Sequence, residues 1–340
     1  MSGLRGRAWD NPVLRAVVVH SGGPSPVLND SLAGVVEAFR GDELYGARYG
    51  VEGLVTGDLI DLKRTPVSMI GTSRQRIADY ERAIAQLRAR DIHTVFFTGG
   101  NGSMAAALEL ARNAGNYELQ VVGIPKTIDN DLLVTHHTPG YHSTANFFIG
   151  AARDAGFDNR MLRSPICILE TLGRNVGWIV AATGFARREP DDAPHLIYFP
   201  ERMPMLDQIA ADVEAVYERL GRCFITVCEG HPSADALAPQ LSARLGLRAR
   251  AERPGITGRS CSACVTERDR RESCECGRAA VRAAEAGESG VMVALNADSS
   301  TFLTPLESVA GKQRTFPLEW IAEAGNDVRP EFLHYFAEGV

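Results

Sequence analysis

The strongest chemical signal in the chain is the run Pro125-Lys126-Thr127-Ile128-Asp129-Asn130-Asp131, where two aspartates stand two residues apart beside a lysine. At a strand end, one carboxylate can accept the proton of an attacking hydroxyl and the other can help hold a metal ion, while the ammonium offsets phosphate charge. The same spacing also fits a polar turn with an aspartate cap, and spacing alone leaves both readings open.

Two glycine-rich segments add to it. Ser21-Gly22-Gly23 and Thr98-Gly99-Gly100-Asn101-Gly102-Ser103 each follow an apolar, β-rich run. Glycines there let backbone N–H groups approach phosphate oxygens, and the positive end of a following helix adds to the attraction. Either segment alone reads as a tight turn. Two at two strand ends are harder to assign to turn chemistry. Asn101 and Ser103 are also expected to cap a helix beginning at Met104. Arg174, after Thr171-Leu172-Gly173, is suited to neutralising a phosphoryl group in transfer. Arg244, Arg248, Arg250, Arg253 and Arg259 form a basic stretch that suits a sugar phosphate and equally a solvated helix face.

Cys261-Ser262-Ala263-Cys264 and Cys274-Glu275-Cys276 have the pairing of a tetrahedral zinc site. The segment between them, Val265 to Ser273, reads as a helix that would have to fold back sharply to join the pairs. Structural or incidental cysteines are therefore the expectation.

The elements that must position these groups alternate. Ala16 to Val19, His93 to Phe97 and Leu119 to Ile124 read as strands buried on both faces, followed by the glycine loops and by helical spacing over Leu28 to Phe39 and Met104 to Ala111. The pattern restarts with strands at Ile166 to Leu169, His195 to Phe199 and Cys223 to Cys228. Glu252 to Ser260 reads as a crossover, after which Arg278 to Ala286 is helical and Gly290 to Leu295 a strand. Such alternation predicts an α/β fold with mainly parallel sheets and ligands at the carboxyl ends of the strands.

The chain has 340 residues, 45% hydrophobic and 23% charged, enough for two lobes. A formal net charge of -6 argues against nucleic acid as the default partner. No apolar stretch approaches bilayer length, and the N-terminal dozen residues, expected to be loose, lack the apolar centre of a signal peptide. A cytoplasmic protein without a membrane partner is expected. Seven cysteines, an odd count, argue against a disulfide framework.

In this order the segments resemble the phosphofructokinase family over nearly the whole chain. The resemblance rests on PKTIDND at 125 to 131, SGGPSPVLN at 21 to 29, TGGNGS at 98 to 103, ETLGRNVGW at 170 to 178 and PHLIYFPE at 194 to 201. EWIAEAGNDV at 319 to 328 looks like the pyrophosphate-using branch. The resemblance implies two Rossmann-like lobes. Residues 14–147 plus 260–308 would bind the phosphoryl donor, and residues 148–259 plus 309–340 the sugar phosphate. It implies Asp129 as the base that takes the proton from the 1-hydroxyl of fructose 6-phosphate, with Asp131 assisting through metal and charge. Thr127 and Arg174 would hold the transferring group beside Lys126. Gly22, Gly100, Asn101, Gly102 and Ser103 would face the donor, and Gly173, Glu229, Arg250 and Arg259 the sugar. Asn101 and Asp131 would hold Mg2+. One of the two arginines would come from a neighbouring subunit, which implies a homodimer or homotetramer.

Departures from the family pattern bear on both substrates. Gly102 leaves room for a nucleotide where pyrophosphate users carry an aspartate, so ATP is the expected donor, whereas Lys126 is the residue of pyrophosphate users. Asn101 replaces a metal-binding aspartate and supplies no charge. Pro165 and Ile256 stand where ATP-using members place an arginine and a histidine, His142 stands where a small residue is expected, and the Ala337-Glu338-Gly339-Val340 ending departs from the family's. The leading expectation is phosphoryl transfer from ATP to fructose 6-phosphate. The alternatives are a pyrophosphate donor, a kinase for another sugar, polyol or nucleoside, and a non-catalytic ligand sensor or regulatory subunit.

Overall fold

The structure, a computed structural model, describes residues 15–61, 70–73, 75–230 and 232–337. The N-terminal dozen residues, expected to be loose, and the ending Glu338-Gly339-Val340 lie outside the described residues. In chain order the elements are β1 (Arg15–His20), α1 (Val27–Ala38), β2 (Glu43–Ala47), α2 (Val51–Thr56), β3 (Leu59–Asp61), α3 (Tyr80–Arg88), β4 (Thr94–Gly99), α4 (Asn101–Asn113), β5 (Gln120–Pro125) and α5 (Tyr141–Met161). They continue with β6 (Ile166–Thr171), α6 (Trp178–Ala182), β7 (Leu196–Ile197), α7 (Leu206–Leu220), β8 (Cys223–Cys228), α8 (Ala234–Leu245), β9 (Ala249–Glu252) and α9 (Thr257–Ser260). Last come α10 (Glu267–Glu285), β10 (Val291–Leu295), β11 (Thr301–Pro305), α11 (Leu306–Val309) and α12 (Pro330–Ala337). No helix among the described residues is long and apolar enough to cross a membrane.

The chain forms two compact units, Met1–Gly140 with Glu267–Gln313 and Tyr141–Thr266 with Arg314–Val340. It passes between them at these points rather than at residues 147, 259 and 308. In the first unit the sheet order is β11-β10-β5-β4-β1-β2-β3. Its inner neighbours pair in parallel, as strands joined through helices do. The edge strands β3 and β11 are antiparallel to their neighbours, β3 following the short helix α2 and β11 following a short turn after β10.

The apolar runs alternate between two cores, which is why they lack a polar face. Val17, Val19, Val95, Phe97 and Val121 pack with residues of α3 and α4, such as Leu87 and Met104. Ala16, Val18, Phe96, Val122 and Ile124 pack with residues of α1 and α10, such as Leu32 and Ala280. In the second unit the sheet order is β7-β8-β6-β9, all parallel. One face buries Ile166, Ile168, Ile225 and Val227 against Ile209 and Val213 of α7 and Leu237 and Leu241 of α8.

Three elements differ from the sequence expectation. The segment read as a crossover begins with the end of β9, which pairs with β6, and continues into α9. Helix α5 was not anticipated, because its buried positions include Ser143, Thr144, Gly156 and Asn159, which break an apolar stripe. Helix α4 starts at Asn101, with Gly100 at the cap position and no side-chain cap bond, so Asn101 and Ser103 lie inside the first turn instead of capping it.

Helices α1 and α10 approach so closely that their backbones touch. A Cβ on Gly34 would lie 1.9 Å from the Cys274 carbonyl oxygen, and one on Gly277 would lie 2.2 Å from that of Ser31. This contact fixes α1, whose N-terminus follows the Ser21-Gly22-Gly23 loop. Gly34→Ala should therefore lower the thermal midpoint by several degrees, roughly the effect of losing one to three kcal/mol by overpacking, measured by calorimetry. An unchanged midpoint would show that the helices can separate without cost.

Candidate functional site

Because β5, β4 and β1 are parallel neighbours, their carboxyl ends lie side by side, and the three loops singled out in the sequence leave from those ends. The loops are bonded to one another. Ser21 donates its N–H to the Thr98 carbonyl at 2.9 Å, and Lys126 donates its own to the Gly99 carbonyl at 3.0 Å. The Lys126 ammonium is buried and donates to the Gly23 carbonyl at 2.5 Å, so its charge sits directly beneath the first glycine loop. The Gly22 N–H is taken by the Ser73 carbonyl at 3.0 Å, which makes this glycine a shaping residue of the loop. His20, fully buried at the end of β1, is pushed down to about 3 by burial and by Lys126, and is neutral.

The two aspartates have different surroundings. Asp131 is buried. Its Oδ2 accepts from Asn101 Nδ2 at 2.8 Å and from Gln313 Nε2 at 3.0 Å, and its Oδ1 accepts from Thr127 Oγ1 at 3.3 Å. Asp129 is half-buried, and its N–H donates to Thr127 Oγ1 at 3.1 Å, closing a tight turn. Asn130 follows in the left-handed region at φ 53°, which asparagine tolerates, and its Oδ1 accepts from Thr138 Oγ1 at 3.3 Å. Thr138 also donates to the Thr127 carbonyl at 2.8 Å. Thr127 thus braces the Asp131 carboxylate and the backbone of Asp129.

Asn101 and Asp131 form an all-oxygen donor set compatible with a hard divalent cation. Asn101 Nδ2 is committed to Asp131, while its Oδ1 is buried without a hydrogen-bond partner. That orphaned oxygen beside a carboxylate is what a cation ligand requires. Gly100 packs on Thr127, since a Cβ there would lie 3.2 Å from the threonine Cβ, and buried Ser103 packs against Gly99. Gly102 is exposed, with nothing within 4 Å of where its Cβ would stand.

The segment after this turn is tied to α10 by a buried ionic network. His137 Nε2 lies 2.9 Å from Glu272 Oε1, which Arg268 Nε at 2.7 Å and Ser299 Oγ at 2.5 Å also approach. Burial alone would raise the Glu272 carboxyl, but hydrogen bonds and charge from His137, Ser299 and Arg268 bring it down to about 2.

In the second unit, β6 and β8 are parallel neighbours ending at Thr171 and Cys228, which places Gly173-Arg174 and Glu229 at adjacent carboxyl ends. Glu229 donates its N–H to the Thr171 carbonyl at 2.8 Å. Arg174 is largely exposed, with Nε 3.7 Å from Glu229 Oε1. The turn wraps around the Cys228 thiol, whose Sγ lies 3.4 Å from the Arg174 carbonyl. Gly173, at φ 125°, has the Val176 carbonyl 2.8 Å from where a Cβ would be, so only glycine fits. The ETLGRNVGW and PHLIYFPE segments also meet, as Glu201 Oε1 accepts the Gly177 N–H at 3.0 Å.

The arginine stretch is less bare than its sequence suggests. Arg250 on β9 pairs with Asp158 of α5, Arg253 with Glu170 and Asp235, and Arg244 with Asp207. Arg259 lies on α9. On α10, Cys276 is buried in the core while Cys274 faces Glu37, so these two thiols do not point at one ion. Gln313 and Thr138 were missed. Gln313 stands 182 residues from its partner Asp131, and no motif marks it.

A family model described as phosphofructokinase matches residues 15–284. Pyrophosphate–fructose 6-phosphate 1-phosphotransferase of Rhodospirillum rubrum is 34% identical, over 94% of this chain and 93% of its own length. Sulfofructose kinase of Alkalicoccus urumqiensis is 32% identical, over 94% and 91%. The crystal structure of pyrophosphate-dependent phosphofructokinase from Marinobacter aquaeolei superposes with a TM-score of 0.88 at 28% identity, covering 96% of this chain and 91% of the other.

The Glu272 network makes the first unit acid-sensitive. A carboxyl held below its unfolded value, about 4.3, stabilises the fold above that value, and this stabilisation is lost as pH falls through about 2. The thermal midpoint of the wild type should therefore fall between pH 5 and pH 2.5 more steeply than that of Glu272→Gln. Parallel curves would show that the network does not contribute.

Proposed function

The chain belongs to the phosphofructokinase family, and from that membership we propose that it moves the terminal phosphoryl group of ATP to the 1-hydroxyl of fructose 6-phosphate. The observation that carries this reading is the unequal treatment of the two aspartates. Asp131 is immobilised by Asn101, Gln313 and Thr127, whereas Asp129 is half-buried on the adjoining turn. The first suits charge placement and the second suits proton transfer.

Asp129 takes the proton of the sugar hydroxyl as it attacks. Thr127 and Arg174 steady the phosphoryl group, and Lys126, beneath the glycine loop, offsets negative charge. Gly100, at the start of α4, presents the positive end of a helix to the donor together with Asn101 and Ser103. Gly173, Glu229, Arg250 and Arg259 take the sugar phosphate. Asn101 and Asp131 would hold magnesium, which when bound neutralises charge on the donor's phosphates.

ATP is favoured by the open space at Gly102, which a nucleotide's inner phosphate can use. A pyrophosphate donor is the second reading. It is supported by Lys126 and by the names of the Rhodospirillum and Marinobacter relatives. The acceptor assignment competes with another sugar, a reading favoured by the sulfofructose kinase relative and by Arg250 being already paired with Asp158.

Purified protein with magnesium and fructose 6-phosphate should form fructose 1,6-bisphosphate from ATP. Gly102→Asp should cut ATP use by about tenfold or more through charge repulsion and lost room, while sparing any use of pyrophosphate. Product from pyrophosphate alone would establish the second reading, and no product from either donor would overturn the acceptor assignment.

A further inference from the structure

Cys261 and Cys264 bracket a single short turn, Ser262–Cys264, immediately after α9. Their sulfurs are 2.7 Å apart, and both residues are half-buried. Two thiol sulfurs at that separation are well inside ordinary contact and close to the bond length of about 2.05 Å that a disulfide requires. The backbone already has the closed form, with the Cys264 N–H donating to the Cys261 carbonyl at 3.2 Å.

The turn is not a free loop. A Cβ on Gly258 would lie 2.6 Å from the Phe148 ring, so α9 lies hard against α5. Asn146 of α5 donates to the Cys264 carbonyl at 3.2 Å, and Ser143 Oγ accepts the Thr266 N–H at 3.1 Å. The segment 258–266 is therefore seated along one helix at three points. The sulfur pair lies between the first and the second, and Arg259 is two residues before Cys261. A bond formed here would hold the closed turn two residues from Arg259.

We propose that Cys261 and Cys264 are a reversible dithiol–disulfide site that sets the position of the segment carrying Arg259. The oxidant is a low-molecular-weight disulfide such as oxidised glutathione. One thiolate attacks it and releases the first glutathione thiol. The second cysteine then attacks the mixed disulfide, forming the Cys261–Cys264 bond and releasing the second. The two cysteines lose two electrons and two protons, which the two glutathione thiols carry away. Burial, then the neighbouring Cys261 thiol, pushes Cys264 up to about 11.

The site itself is independent of the proposed reaction, whereas its effect on Arg259 rests on Arg259 acting at the acceptor. Full-length protein equilibrated in glutathione buffers of graded potential tests both. Peptide mass mapping should show the 261–264 peptide losing two hydrogens on oxidation and regaining them with dithiothreitol. The oxidised wild type should show the acceptor KM changed by about fivefold or more with the donor KM unchanged. Cys261→Ser and Cys264→Ser should each abolish the mass change and the kinetic difference. Two free thiols at the oxidising end, a cross-link to Cys274 instead, or stoichiometric zinc protecting the pair would each overturn the site. A disulfide with unaltered kinetics in an active enzyme would overturn the coupling to Arg259. If the reduced wild type phosphorylates no fructose 6-phosphate, the function reading fails while the mass result still decides the redox site.

Discussion

The structure of the candidate centre depends on the capture of Asp131. Three donors from three places in the first unit converge on one carboxylate: Asn101 from the start of α4, Thr127 from the turn after β5, and Gln313 from the end of the unit's last segment. A buried carboxylate needs donors for its lone pairs, and these three neutral groups supply them. Asp129, two residues away on the same turn, is half-buried. Two identical side chains on one turn thus have different surroundings.

The convergence is possible because the sheet is parallel. Strands β1, β4 and β5 end at the same edge, so three loops far apart in sequence share one surface and bond to each other across it. Each strand is buried on both faces by alternating residues, which prevents the register from slipping. The glycine contact joins α1 to α10, and the ionic network at Glu272 ties α10 to the segment after the PKTIDND turn. The second unit repeats the device, with β6 and β8 presenting Gly173-Arg174 and Glu229.

Much of this was legible in the sequence because it was local. Valine-rich runs followed by glycine loops gave the strands, and PKTIDND gave the turn that holds the carboxylates. What escaped was long-range or written in residues of low contrast. Gln313 reaches Asp131 across most of the chain. Helix α5 buries serine, threonine and asparagine in place of an apolar stripe. The cap expected from Asn101 and Ser103 failed because Asn101 is drawn to Asp131 and the helix begins one residue after Gly100. The arginine stretch read equally as a sugar-phosphate site or a solvated helix face because its carboxylate partners, Asp158, Glu170, Asp207 and Asp235, come from other elements.

The most direct measurement of the division of labour between the two aspartates is the steady-state kinetics of Asp129→Asn with the productive donor and acceptor. This change keeps size and hydrogen-bonding capacity while removing the proton acceptor. With Asp129 as the base, kcat should fall by about a hundredfold or more, with both KM values within about threefold of wild type. A variant that keeps kcat within about threefold would contradict that role, because proton removal would then be done by another group.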